Sequence, residues 1–184
     1  DQNTVLHQVE AFANEGMRVL GFAEKRFDRA GLTMEDCAQG FEFTGLQAMI
    51  DPPRAEVIDA IRACHQAGIT VKMITGDHRG TAQAIGEQLG IAKHGAKAVT
   101  GVQLAEMDEA AMREIVKDHN VFARVAPEHK LGLVRALQEN GQVTAMTGDG
   151  VNDAPALKQS NIGVAMGITG TSVSKEAADI VLTD

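Results

Sequence analysis

The sequence has no tryptophan and no tyrosine, and only six phenylalanines in 184 residues. Its core must therefore come from Ala, Val, Ile, Leu and Met within an apolar share of 44%, a composition that suits helices packed on a buried sheet. Long apolar runs are missing as well. The longest are strand-sized, well short of the roughly 20 residues that a membrane-spanning helix needs. The stretch DQNTVLHQVEAF lacks a basic start, an apolar middle and a small-residue cleavage site, so no secretory signal is expected. Cysteine is scarce: Cys37 and Cys64 lie far apart with no CxxC spacing, which predicts buried thiols of a reducing, cytosolic compartment and no disulfide. Basic residues are outnumbered 17 to 25 by acidic ones, for a formal net charge of −8. That balance excludes nucleic acid as the main ligand, because backbone binding depends on clustered Lys and Arg.

What the chain does have is a repeating unit: a short β-branched run, a loop with Gly and Asp, then a helix-period segment closed by Gly. Asp51 can cap a helix that opens at Pro52 and Pro53, carries Val57, Ile58 and Ile61 on one face, and stops at Gly68. A strand is expected over 69–74, then a helix carrying Ala82, Ile85 and Leu89 to Gly90. The polar stretch 92–101 reads as loop. Asp108 can cap a helix through Met112, Ile115 and Val116. The run VFARV reads as a strand, and Pro127 opens a helix through Leu131, Val134 and Leu137 that ends at Gly141. The runs VTAMT, IGVAM and DIVLT read as strands, with a turn over 153–159 and a helix over about 171–178. Strands alternating with helices predict an α/β fold, a mostly parallel Rossmann-like sheet with helices on both faces. Residues 1–50 differ in kind: a helix-period segment over 5–14, the run RVLGFAEKRF, and a loop around Ala30 to Gln39. A domain boundary is expected near Asp51, where the doubled proline of DPPR makes a stiff joint.

The chemistry gathers at the expected C-terminal ends of strands, where open α/β sheets place ligands. Thr75, Gly76 and Asp77 follow one strand, Lys130 lies in PEHK beyond VFARV, and Asp149, Asn152 and Asp153 follow VTAMT. Glycines let backbone amides approach an anion, Thr75 adds a hydroxyl donor, and Lys130 adds positive charge. Asp149 and Asp153, four positions apart across Gly150, can turn hard carboxylate oxygens toward a magnesium ion that keeps several waters. A TGD turn alone, or a lone Lys at a helix start, has an ordinary local explanation. The eleven-residue run TGDGVNDAPAL does not reduce to one.

That run, with MIDPPR, MITGD and ARVAPEHK, resembles the cytoplasmic region of P-type cation-transporting ATPases, which share the haloacid dehalogenase-like fold. The resemblance spans nearly the whole chain. MRVLGFAEKRF resembles the end of the nucleotide-binding domain, giving an expected division into 1–50 and a phosphorylation domain over 51–184. The resemblance implies ATP as substrate, Mg2+ as cofactor, and transfer of the γ-phosphoryl group to an Asp followed by hydrolysis of the aspartyl phosphate. It implies Asp149 as a magnesium ligand, Asn152 and Asp153 holding the phosphate site and the lysine, and Lys130 neutralising phosphoryl oxygens. Thr75 and Gly76 would bind phosphate, and Asp77 would sit near nucleotide and metal. Arg124 and Arg18 match arginines that contact ribose and phosphates, and Arg54 of DPPR would lie near the nucleotide at the hinge.

The resembling family carries its phosphorylated Asp in a strand followed by DKTGT, and no DKTGT run occurs in this sequence. Asp51 after LQAMI is a superficial match only, since Pro52 and Pro53 stand where that chemistry uses other residues. The expectation is therefore a fragment of a multi-pass pump's catalytic region, inactive alone, at the cytoplasmic face of a membrane. It would lack a central strand, and its remaining pump domains and membrane helices would be its partners. An unpaired sheet edge makes self-association an expectation too. DPPR and GDGVNDAPALK resemble calcium, sodium or proton pumps more than heavy-metal pumps, with calcium the first choice. The alternatives are a stand-alone phosphatase of the same fold and a module that binds magnesium or nucleotide without turnover.

Overall fold

A computed structural model describes residues 1–28, 31–50 and 52–183. Helix α1 (Gln2–Asn14) is capped by Asp1, whose carboxylate accepts the Asn3 amide. Strands β1 (Arg18–Glu24) and β2 (Glu42–Met49) form an antiparallel ribbon with a register shift at Phe22/Ala23. The ribbon leaves Leu20, Phe22 and Phe43 exposed. Next come α2 (Ala55–Gln66), β3 (Met73–Ile74), α3 (Arg79–Gln88), β4 (Val99–Thr100), α4 (Gly101–Ala105) and α5 (Glu109–Asp118). Then follow β5 (Val121–Ala123), α6 (Pro127–Glu139), β6 (Ala145–Gly148), α7 (Ala154–Gln159), β7 (Ile162–Met166), α8 (Ser172–Ala177) and β8 (Ile180–Leu182).

The parallel pairing expected from the alternating pattern is present, but it is divided. One sheet runs β3-β5-β4 and another β6-β7-β8, both parallel throughout. Strands β3 and β6 each stand at a sheet edge and pair on one side only among the described residues. Strand β5 shows why helices cover both faces of its sheet. Val121 and Ala123 join a cluster with Ile61, Ala82 and Leu89 from α2 and the α3 segment. Phe122, fully buried, points the other way into Leu104, Val116, Leu133 and Ala136 from α4, α5 and α6. Alternation along a strand buried on both faces produces this split. In the second sheet, α7 and α8 pack on β7 and on each other, whereas Ile180, Val181 and Leu182 of β8 stay exposed.

Several expected boundaries shift. Helix α2 starts at Ala55, with Arg54 extended at its N-cap and no side-chain capping bond. A residue that precedes proline is steered out of the helical region, so Pro52, followed by Pro53, cannot open a helix. The cap expected of Asp51 and the part of the loop at Ala30 lie outside the described residues. The strand expected over 69–74 is reduced to Met73–Ile74, because ladder partners exist only from Asn120 onward. The stretch 92–101 is not all loop: it holds β4 and opens α4 through a Thr100–Gln103 capping box, a T-x-x-Q signal that stands in the sequence. The expected turn over 153–159 is instead a 3-10 turn (Val151–Asp153) running into α7. Pro155 sits in the first turn of α7, where its missing N–H costs no hydrogen bond. Other expectations match closely. Asp108 caps α5 by accepting the Ala111 amide at 2.8 Å, Pro127 opens α6, and Gly68 and Gly141 terminate α2 and α6 at φ 78° and 77°.

The first segment is docked on the second. Helix α1 packs on α3, the Thr81 hydroxyl donates to the Met17 carbonyl at 3.2 Å, and a Cβ on Gly80 would lie 3.1 Å from the Ala13 carbonyl oxygen.

Candidate phosphate and nucleotide site

The turn after β3 is laced by its own side chains. The Thr75 hydroxyl donates to the Asp77 carboxylate at 2.8 Å and accepts the Asp77 amide at 3.1 Å. Gly76 at its apex has no atom within 4 Å of where a Cβ would stand, so its backbone is open to an incoming anion. His78 caps α3 by accepting the Gly80 amide on Nδ1 at 3.3 Å.

A cleft of about 610 Å³ opens between this turn and the first segment; its wall includes Arg18, Gly76, Asp77, His78, Thr81 and Arg124. Residues expected from far-apart stretches of sequence thus meet in one concavity that carries two guanidinium groups. Arg124 is held at φ 51°, and its amide donates to the Asp77 carbonyl at 3.1 Å. Arg54 is not part of this wall.

At the exit of β6 the central feature is an ion pair. Lys130 Nζ donates to Asp153 Oδ1 at 2.6 Å, with side chains only 18% and 10% exposed. The other carboxylate oxygen of Asp153 accepts the Gly150 amide at 3.1 Å. Burial alone pushes the Asp153 carboxyl up, but the Lys130 hydrogen bond, the Gly150 amide, the Lys130 charge and the Asp149 amide outweigh it and hold the group below the usual carboxylate range. Gly148 is needed beside it: a Cβ there would lie 2.6 Å from Asp153 Cβ.

The donor set gives a mixed answer for magnesium. No cluster of three or more His, Cys, Asp or Glu side chains exists among the described residues, and both Asp153 oxygens are already engaged. The Asp149 carboxylate is exposed and takes part in no hydrogen bond or ion pair among the described residues. One free carboxylate beside a compensated one fits an ion that keeps most of its water and takes its remaining ligands from elsewhere. Asn152 is exposed on the same turn.

Two residues escaped the sequence reading. Thr171 and Ser174 at the start of α8 grip the main chain of Asp149: the Thr171 amide donates to its carbonyl oxygen at 2.8 Å and the Ser174 hydroxyl at 3.0 Å. Thr171 also caps α8 through the Ser174 amide. The T-x-x-S spacing was visible as a cap; its second duty, across 25 residues of chain, had no local signal.

The parallel sheets, with an acid–lysine pair and Gly-Asp turns at their strand exits, define an α/β fold of the hydrolase kind. A family model for haloacid dehalogenase-like hydrolases matches residues 7–161, and the chain belongs to that family. It is similar to the cation-transporting ATPase pma1 of Synechocystis sp., 54% identical over 187 residues, covering 100% of this chain and 21% of that protein. Calcium-transporting ATPase 1 of Bacillus cereus is 48% identical over 184 residues, again covering 100% and 21%. A calcium-transporting ATPase of Bacillus subtilis is 49% identical over 174 residues, covering 94% of this chain and 19% of its own length. The chain thus spans about a fifth of these relatives. The family match runs through position 51 without a break. Among the described residues no helix is long and apolar enough to cross a membrane.

Proposed function

We propose that this chain is the phosphate-handling part of the catalytic region of an ATP-driven cation pump, working at the cytoplasmic face of a membrane. The observation that carries the reading is the cleft itself, which gathers Arg18, Gly76, Asp77 and Arg124 against one another. Two guanidinium groups facing an open glycine turn suit a polyphosphate, since planar N–H forks match phosphate oxygens. In this reading Arg18 and Arg124 bind the nucleotide, Thr75 and Gly76 orient the transferred phosphoryl group, and Lys130 screens its charge while Asp153 keeps Lys130 in place. Asp149 holds Mg2+, which when bound neutralises phosphate oxygens during transfer. The phosphorylated Asp belongs to a strand that would seat between β3 and β6, joining the two parallel sheets; the chain alone therefore binds but does not turn over. Calcium, named in two of the three relatives, is the proposed cargo.

Calorimetric titration of the chain with Mg2+ and ATP tests the binding half, and an affinity weakened roughly tenfold in each of Arg18→Ala and Arg124→Ala is the expected result. Incubation with γ-labelled ATP tests the other half, and no phosphoprotein should form. Acid-stable, hydroxylamine-labile label on the chain would show that it supplies its own nucleophile, which favours a stand-alone phosphatase.

A further inference from the structure

Arg124 is the one residue other than glycine with positive φ among the described residues, at 51°. Side chains with a Cβ rarely adopt this conformation, and where they do the surrounding structure must impose it. Two hydrogen bonds impose it here, and the absence of a side chain at Gly101 permits it. The Arg124 amide donates to the Asp77 carbonyl and the Val125 amide to the Thr75 carbonyl, both at 3.1 Å. The Arg124 carbonyl is turned onto Gly101, where a Cβ would lie 2.1 Å from its oxygen and 3.0 Å from its carbon.

Neither partner can retreat. Gly101 is buried at the start of α4, fixed by the Thr100–Gln103 capping box, and Thr100 is paired in register with Ala123. We infer that Gly101 is a positioning residue for the cleft: its missing side chain leaves the space into which the Arg124 carbonyl turns, and that left-handed turn keeps the Arg124 side chain in the cleft wall with Arg18 and Asp77. The inference rests on the reading of the cleft as a nucleotide site. It assigns a binding role to a glycine whose own position is outside the cleft wall.

Trinitrophenyl-ATP with Mg2+, followed by fluorescence, tests it on the wild-type chain, Gly101→Ala, Arg124→Ala and the double variant. Loss of a charge-assisted hydrogen bond weakens binding roughly tenfold, so Arg124→Ala should lose about that factor. A folded Gly101→Ala should lose a similar factor, and the double variant should bind no more weakly than Arg124→Ala, because the glycine acts through the arginine. Wild-type affinity in a folded Gly101→Ala, or factors that multiply in the double variant, overturns the inference. If the wild-type chain binds no probe, or Arg124→Ala binds as wild type does, the nucleotide reading fails, and amide hydrogen exchange decides the inference separately. Faster exchange at Arg124 and Val125 in Gly101→Ala, with Phe122 unchanged, supports it; equal protection overturns it. If Gly101→Ala is unfolded, Arg124→Gly is added, since glycine at 124 can draw its carbonyl away: recovery of the fold supports the inference and no recovery overturns it.

Discussion

Asp153 and Lys130 show how much a site can depend on two atoms 2.6 Å apart. Removing one member of a buried pair strands the other, at a cost of about 3 kcal/mol, so Lys130→Ala should melt roughly 6–12 °C below wild type. The acid limb follows from the same pair. The folded Asp153 carboxyl lies below its ordinary value, so its contribution is fully present above the unfolded carboxylate range and is lost as pH falls through the lowered folded value. Thermal melts across that window should show wild type losing stability more steeply than Asp153→Asn. Gly148→Ala tests the packing behind the pair. The new methyl would meet Asp153 Cβ and Cγ at 2.6 and 2.9 Å, and overpacking of this kind costs about 1–3 kcal/mol. A carboxyl-carbon NMR titration should find the Asp153 pKa returned toward its ordinary range.

At the scale of elements, loops are held by distant helices. The first turn of α8 fixes the Asp149 main chain through Thr171 and Ser174. Ser174→Ala removes one of those two donors and should cost about 1 kcal/mol in urea denaturation. Strand β3 is anchored by Lys72, which donates to the Val116 and His119 carbonyls at 2.6 and 2.8 Å and to Asn120 Oδ1 at 2.8 Å, tying the strand to the end of α5. Burial pushes the Lys72 pKa down against the raising effect of Asp118. Its folded pKa therefore lies below its unfolded one, so its unfavourable contribution is full below the folded value and fades as pH rises from the folded to the unfolded value. Between those values wild type should gain stability relative to Lys72→Met, measured as the difference between paired denaturation curves.

At the scale of the whole molecule, the split between the parallel sheets leaves β3 and β6 with open edges among the described residues, and sedimentation velocity over a concentration series should show reversible self-association. A strict monomer at high concentration would remove that expectation. The alternation of strands and helices, the cap at Asp108, the helix start at Pro127 that carries Lys130, and the turns carrying Thr75 and Asp149 were legible in the sequence because each depends on neighbours a few positions away. Helix α7 was hidden because its proline looks like a breaker unless it is known to occupy a first turn. The shortening of β3 was hidden because it depends on where Asn120 lies. Gly101, Thr171 and Ser174 were hidden for the same reason: their partners, Arg124 and Asp149, are remote in sequence, and no local pattern encodes a meeting across a fold. The cleft has one more consequence. Its arginines come from either side of position 51, Arg18 on the ribbon and Arg124 beyond β5. An anion gripped by both acts as a tether between the two segments, and by reciprocity any force that swings the ribbon away loosens the anion by the same free energy.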